Sequence, residues 1–137
     1  MSVCVVIHAA GVSAAVRRMP RELAPYARLW RSTWLFIWVA GWMVFLHLLE
    51  ITVWAAFFVW RGALDDLPLS LYFSAVTYTT TGYGDVVLPE EWRLFGGIEA
   101  LTGILMCGWS TGFFFAVVTR LFVSSSASEH ELPRNRS

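Results

Sequence analysis

Residues Thr79-Thr80-Thr81-Gly82-Tyr83-Gly84-Asp85 form a polar, glycine-containing heptapeptide between two long apolar runs. Two glycines one residue apart permit backbone dihedrals that are closed to other L-residues, so successive carbonyls can turn to one side of an extended strand. Four such strands around an axis would stack cages of oxygen atoms that replace the hydration shell of a cation, with the Thr80 hydroxyl as the innermost ring. The heptapeptide therefore predicts a site for a dehydrated cation.

This heptapeptide resembles the selectivity filter of potassium channels. It matches that family's T-T-V-G-Y-G-D signature at every position but one, with Thr81 where valine is commonest. The alternative interpretation is a glycine turn between two helices, which a bare Gly-x-Gly would support. The preceding threonines, the tyrosine between the glycines and the aspartate after them favour the filter.

The composition is typical of a protein that has lipid as its solvent. Of the 137 residues 57% are hydrophobic and 16% are aromatic, and the formal net charge is +0. Two apolar runs, at about 34–60 and 93–123, are each long enough to cross a bilayer. Between them, residues 68–78 predict a helix of about three turns that enters half-way and ends at the filter. We therefore expect an all-α membrane protein in which two transmembrane helices flank a re-entrant pore helix and filter.

The resemblance covers about residues 34–122 and belongs to two-transmembrane, one-pore-loop potassium channels. It implies a homotetramer that conducts K⁺ and needs no cofactor beyond that ion. The implied K⁺-binding positions are Thr80, Thr81, Gly82 and Tyr83, with Gly84 completing the filter and Asp85 at the outer mouth.

The sequence departs from the family pattern at two positions. Thr81 adds a hydroxyl that needs a partner. Val76 replaces a glutamate that in some members pairs with the aspartate, so we expect Asp85 to lack that partner.

For the second span, the resemblance places the glycine of the family's hinge region at Gly103. The implied cavity and gate positions follow it at Cys107, Thr111, Phe115 and Thr119. Four Phe115 rings would form an apolar constriction that closes by dewetting. The alternative is that Phe113, Phe114 and Phe115 are packing or lipid-facing aromatics. Small residues at helical spacing also predict close approach of a neighbouring helix; they are Gly96, Ala100, Gly103 and Cys107.

His47 and Glu50 interrupt the first span and, three residues apart, lie on one helix face. Ionisable groups at membrane depth are costly unless they face protein or water. No second histidine follows at ligand spacing, so a metal site is not favoured. A polar pair hydrogen-bonded to a neighbouring helix is favoured over a proton-sensing role, and Glu99 on the second span is a possible partner.

The two ends of the chain are less informative. Residues 1–33 predict a linker preceded by either an interfacial helix or the remainder of a membrane helix shortened by a late start codon. Residues 124–137 are serine-rich and predict a disordered tail. Eight of the ten arginines flank the spans and two lie between them, which places both termini in the cytoplasm of a multi-pass protein of the cell membrane.

The preferred function is a potassium-selective channel. A weakly selective cation channel is one alternative, and a non-conducting channel subunit or membrane interaction module is another. An enzyme is not indicated, because no nucleophile, base and orienting group recur at workable spacing. The arginines form no stripe of the kind that binds nucleic acid.

Overall fold

The computed structural model describes the chain at residues 1–18 and 28–130, with side chains at 1–18 and 33–119. Within these ranges the chain is helical, apart from the loops around α3. The helices are α1 (Ser2–Arg18), α2 (Arg28–Trp60), α3 (Leu67–Tyr78) and α4 (Arg93–His130), with a 3-10 turn at Glu90–Trp92.

Two of these segments are long and apolar enough to cross a membrane, namely Thr33–Trp60 and Glu90–Thr119. At 1.5 Å per residue they measure about 42 and 45 Å, more than a hydrocarbon core of about 30 Å. The expected arrangement of two long apolar helices with a short helix between them is therefore confirmed.

The connection between α2 and α3 is set by local capping. Gly62 has φ +69°, and the amides of Gly62 and Ala63 donate to the carbonyls of Val59 and Phe58. This is the glycine-dependent pattern that closes a helix C-terminus. Asp66 then caps α3, since its carboxylate accepts from the Leu69 amide at 2.7 Å. The chain thus reverses within a few residues and sends α3 back along α2.

The short helix α3 is held between α2 and α4. The Ser70 hydroxyl donates to the Ala55 carbonyl of α2 at 2.9 Å, and the rings of Phe58 and Phe73 meet edge to face at 5.5 Å. On the other side, α4 approaches through glycine, because a Cβ added at Gly103 would overlap the Tyr78 carbonyl oxygen. No side chain fits there, so Gly103 fixes how closely α4 approaches the end of α3.

Helix α1 runs antiparallel alongside α2. Its buried stripe, Cys4, His8, Gly11 and Ala15, faces the bundle. The Trp42 indole N–H donates to the Gly11 carbonyl at 2.9 Å, and His8 contacts Glu50 two turns further along α2. Helix α1 therefore packs along the length of the first span and does not cross it at a steep angle.

The helix boundaries differ from the sequence expectations at both ends. The first apolar span, Thr33–Trp60, agrees with the predicted 34–60, whereas the helix that contains it begins earlier, at Arg28; residues 19–27 lie outside the described part of the chain. Helix α4 extends to His130, past residue 124, where the tail was expected to begin. A continuous run of intrahelical hydrogen bonds satisfies the backbone there. The rest of the predicted tail, 131–137, lies outside the described residues.

Candidate functional site

The segment after α3 directs its amides back at the last turn of that helix. Thr80 N–H donates to the Thr77 carbonyl at 2.9 Å, and Thr81 and Gly82 both donate to the Val76 carbonyl, at 3.0 and 3.2 Å. Among the described residues, no backbone N–H donates to the carbonyls of 80–84. Those oxygens therefore remain available to a ligand.

The sign of φ alternates along this segment. Thr80, Gly82 and Gly84 have φ values of +59°, +56° and +79°, whereas Thr81 and Tyr83 do not have positive φ. Alternation of positive with non-positive φ allows successive peptide planes to turn so that their carbonyls lie on one side of the strand. Glycine adopts the left-handed region at no steric cost, but Thr80 is held there against its preference.

The expected need of the Thr81 hydroxyl for a partner is met by Thr79. Their hydroxyl oxygens are 3.0 Å apart, and Thr79 gives its one hydroxyl proton to the Ala75 carbonyl at 2.7 Å. Thr81 is therefore the donor between the two threonines. Thr81, which stands where valine is commonest in the resembled family, thus adds a hydrogen bond to Thr79, whose hydroxyl in turn bonds the Ala75 carbonyl of α3.

Asp85 also has a partner, although not the one the family pattern supplies. The Tyr72 hydroxyl, one turn before Val76 on α3, donates to Asp85 Oδ2 at 2.5 Å. This hydrogen bond favours the ionised carboxylate and lowers the pKa of Asp85. The expectation that Asp85 lacks the family's glutamate holds, and a phenol takes its place.

The implied cavity positions share one face of α4. Cys107, Thr111, Phe115 and Thr119 are exposed in the single protomer and point away from its own helices. Of the three consecutive phenylalanines, only the third is strongly exposed, at 71%, whereas Phe113 and Phe114 are half-buried.

Gly103 does not share that face. It is buried against Tyr78, and α4 runs unbroken through it. The small-residue stripe is in fact used within the protomer, because a Cβ at Gly96 would also touch α3, at 3.6 Å from the Phe73 ring. Gly103 is thus a packing glycine in this structure, and the expected hinge has no bend here.

The pair on the first span belongs to a larger buried cluster. Glu50 is fully buried; its Oε1 lies 2.9 Å from His8 Nδ1, and its Oε2 accepts from the Tyr78 hydroxyl. His47 Nδ1 is 3.2 Å from the Tyr78 hydroxyl oxygen. Ser110 Oγ is 3.1 Å from the Nε2 atoms of both His8 and His47. Side chains from all four helices therefore meet at one point.

Glu99 is not part of this cluster, so the expected pairing of Glu99 with His47 and Glu50 is wrong. Glu99 is fully buried, and neither carboxyl oxygen has a hydrogen-bond partner among the described side chains. His8 takes the place that Glu99 was expected to fill, because α1 lies along α2 at the level of Glu50.

His8 is the residue that the sequence analysis missed. His8, His47 and Glu50 each place one potential ligand atom within 4.8 Å of the others, and these atoms are engaged in hydrogen bonds to one another, Tyr78 and Ser110. The available signal was the small and polar stripe of α1, whose spacing of four, three and four residues is that of a helix face packed on protein.

A family model described as "Ion channel" matches residues 32–120. The chain belongs to this family of ion channels. No curated protein and no solved structure matches the chain. The matched stretch spans nearly all of α2, the whole of α3 with the filter segment, and α4 as far as Arg120. The channel is thus a membrane protein whose two long helices surround a short helix that ends at the glycine-containing segment 79–85.

Proposed function

We propose that this channel conducts K⁺ selectively, with the carbonyls of Thr80, Thr81, Gly82 and Tyr83 and the Thr80 hydroxyl as the ion-binding oxygens. The observation that carries the proposal is the alternating sign of φ from Thr80 to Gly84. A strand with its carbonyls on one side offers several oxygen rings in series, which is what a cation needs when it leaves its water. No cofactor is required besides the permeant ion.

The working unit is a homotetramer. One copy supplies one wall of the pathway, and its filter segment, residues 79–85, is exposed in the protomer. Polar backbone at membrane depth is tolerated only where it is buried in protein or lines a water-filled path. Four copies around an axis meet both conditions. The other exposed apolar side chains of α4, which include Leu101 and Leu105, would then be covered by neighbouring subunits and lipid.

We propose that the channel lies in the cell membrane with the start of α2 and the end of α4 on the cytoplasmic side. The support is the arginine distribution, since the five arginines from Arg17 to Arg31 and the three from Arg120 onward outnumber Arg61 and Arg93. In this orientation the loops with Asp65, Asp66 and Asp85 face outward. Their negative charge would raise the cation concentration at the filter mouth.

Helix α1 packs antiparallel on α2, and Cys4 shares a buried cluster with Trp54 and Phe58. The first residues of α1 therefore lie toward the outer end of α2, which argues against the expected cytoplasmic N-terminus.

Flux measurements on the purified protein in liposomes test the proposal. Equal concentrations of K⁺ and Na⁺ are compared in separate vesicles with a membrane-potential dye, and empty liposomes are the control. We expect flux with K⁺ and little with Na⁺. Equal flux of the two ions means a weakly selective cation channel, and no flux from tetrameric protein means a non-conducting subunit.

Cross-linking in mild detergent tests the oligomeric state separately. We expect a ladder that ends at four subunits. A dimer that still conducts K⁺ would overturn the tetramer without touching the assignment of the filter oxygens.

A further inference from the structure

The buried cluster is a closed ring of five hydrogen-bonded contacts. From Glu50 Oε1 it passes through His8 Nδ1 and Nε2 to Ser110 Oγ, then through His47 Nε2 and Nδ1 to the Tyr78 hydroxyl, and back to Glu50 Oε2. Each contact needs one proton between its two heavy atoms. The number of protons in the ring therefore decides whether it closes.

Counting the protons shows that the ring is one short in its ordinary ionisation state. Two neutral imidazoles, one phenol and one hydroxyl supply four protons, and an ionised Glu50 supplies none. Five contacts then share four protons, so two acceptors face each other at one contact. One additional proton completes the ring. With it, the ring as a whole carries no net charge, which suits a buried position in a membrane protein.

When His8 carries the extra proton, each of the five hydrogen bonds has one donor and one acceptor. His8 donates to Glu50 and to Ser110, Ser110 donates to His47, His47 donates to Tyr78, and Tyr78 donates to Glu50. Transfer of the His8 Nε2 proton to Ser110 Oγ, together with transfer of the Ser110 hydroxyl proton to His47 Nε2, moves the charge to His47 and leaves one proton in every contact. The 2.9 Å separation of His8 Nδ1 and Glu50 Oε1, against 3.6 Å for His47 Nδ1 and Glu50 Oε2, favours His8 as the cation.

We infer that His8, His47, Glu50, Tyr78 and Ser110 form a buried binding site for one proton, and that this proton holds α1 against the channel core. The site joins four helices. It includes the last residue of α3, which directly precedes the filter segment. When the proton leaves, one of the five contacts is lost, and α1 loses part of what attaches it to α2 and α4.

Other ionisable groups lie around the ring on two helices. They are Cys4 on α1, and Glu99 and Cys107 on α4; on α2 and α3 the facing groups are ring members. Arg18 lies at the other end of α1, over the Trp42 ring. Among the described side chains, only the two histidines form ion pairs with Glu50. The proton is therefore the cation that balances this carboxylate.

Nitrogen-15 NMR of the histidine side chains, with the full chain in nanodiscs, tests the proton count. The chain has three histidines, and His130→Gln removes the one outside the ring. His130 is also about 30 Å along α4 from Ser110 at 1.5 Å per residue. At pH 7.5 we expect His8 and His47 together to carry one extra proton, exchanging between them, with Glu50 ionised in the infrared spectrum. Two neutral imidazoles beside an ionised Glu50 would overturn the inference.

Ser110→Ala tests the path between the two imidazoles with little change in volume. We expect the proton to remain on His8 and the exchange to stop, because the hydroxyl that joins the two Nε2 atoms is gone. Unchanged exchange would show that Ser110 does not relay the proton and would overturn the closed ring. A stoichiometric transition metal in the purified protein, bound by these side chains, would equally overturn it.

Thiol labelling tests whether the proton holds α1 in place. Cys4 lies on the docked face of α1 and is 1% exposed, so a maleimide reaches it only when α1 detaches. The assay uses Cys107→Ser protein. The control is Val6→Cys in protein that also lacks Cys4 and Cys107; position 6 is exposed and corrects for the ordinary effect of pH on thiols.

We expect labelling of Cys4, relative to the thiol introduced by Val6→Cys in the control, to rise about tenfold between pH 7 and pH 10, the effect of losing about one hydrogen bond to a charged group. In His8→Phe/Glu50→Leu protein the ratio should not change with pH. A constant ratio in the parent would overturn the attachment. Neither measurement uses ion flux, so both outcomes are independent of the proposed conduction of K⁺.

Discussion

The two ends of the Tyr78 residue face two differently built sites. Its carbonyl end leads into residues 79–85, the proposed filter, where consecutive backbone carbonyls are the proposed ion ligands and every residue is exposed in the protomer. Its hydroxyl end enters the ring, where side chains from four helices meet and His8 and Glu50 are fully buried. The filter depends on the sign of φ at three positions, and the ring depends on the number of protons shared by five side chains. The filter should therefore fail when one glycine changes, whereas the ring should tolerate replacement of a matched pair better than loss of one member.

Gly82→Ala should have the largest effect and abolish selective flux. At φ +56° an L-residue is strained, although a Cβ meets no atom within 4 Å inside the protomer. Gly41→Ala is the matched control, because it also has free space around a new Cβ and lies within α2 at an ordinary φ. K⁺ and Na⁺ flux in liposomes is the measurement. Selective flux in Gly82→Ala equal to that of Gly41→Ala would refute the filter assignment.

Glu50→Leu should destabilise the protomer by about 3–5 kcal/mol, because it leaves His8 and the Tyr78 hydroxyl buried without their common partner. The double variant His8→Phe/Glu50→Leu replaces the ion pair by apolar groups and should cost less than the single variant. Unfolding in a detergent titration at pH 7 measures both. If the double variant is less stable than Glu50→Leu, the partnership between His8 and Glu50 is not what makes the single change costly.

This contrast also explains what the sequence could predict. The proposed filter is a contiguous motif at the end of a short helix, so the two spans, the short helix and the position of residues 80–85 after it could be predicted from local sequence order. Thr81 and the missing partner of Asp85 are visible in the sequence as departures from the family pattern. Their actual partners, Thr79 and Tyr72, lie on or beside α3. The spacing of residues along that helix could have predicted which side chains lie near the segment that follows it.

The ring could not be found in this way, because its members are up to 102 residues apart in sequence. His47 and Glu50 share a helix face and are recognisable as a polar pair. His8 enters only because α1 lies antiparallel on α2, and a 17-residue helix of low polarity does not reveal its docking partner. The packing of Gly103 is hidden for the same reason, since a glycine at helical spacing does not show which neighbour approaches it.

Gly103→Ala should have the next largest effect and weaken both folding and assembly. A Cβ there would overlap the Tyr78 carbonyl oxygen, which is backbone and cannot rotate away. Overpacking of this kind costs about 1–3 kcal/mol. Gly97→Ala on the same helix has no atom within 4 Å of the new Cβ and should be neutral or stabilising, as expected for a helical glycine. The yield of cross-linked tetramer compares the two. Equal yields would mean that α4 does not approach α3 closely in the assembly.

Phe115→Ala should raise the resting K⁺ flux several-fold if four phenyl rings close the cavity. The ring is 71% exposed in the protomer, in contrast to Phe113, so Phe113→Ala is the matched control. Reaction of Cys107 with an aqueous thiol reagent, in Cys4→Ser protein, is the second measurement and should be faster in Phe115→Ala only. If both measurements stay at the parent values, the constriction lies elsewhere along α4 or in the filter.

Tyr72→Phe should have the smallest effect and should be visible mainly in the titration of Asp85. The Tyr72 hydrogen bond stabilises the ionised carboxylate, so the pKa of Asp85 lies below its ordinary value of about 3.9. A carboxyl with a lowered pKa stabilises the folded filter mouth at pH values above its unfolded pKa, and this contribution is lost as the pH falls through the folded value. Without the phenol, the midpoint of the Asp85 carboxyl signal in carbon-13 NMR should move upward, and Asp85→Asn identifies that signal.

K⁺ flux at pH 7 should change little, because Asp85 is ionised in both proteins and its exposed pair with Tyr72 contributes little stability there. A midpoint that does not move would show that Tyr72 and Asp85 are not hydrogen-bonded in the assembled channel, and Asp85 would then lack this side-chain hydrogen bond to α3.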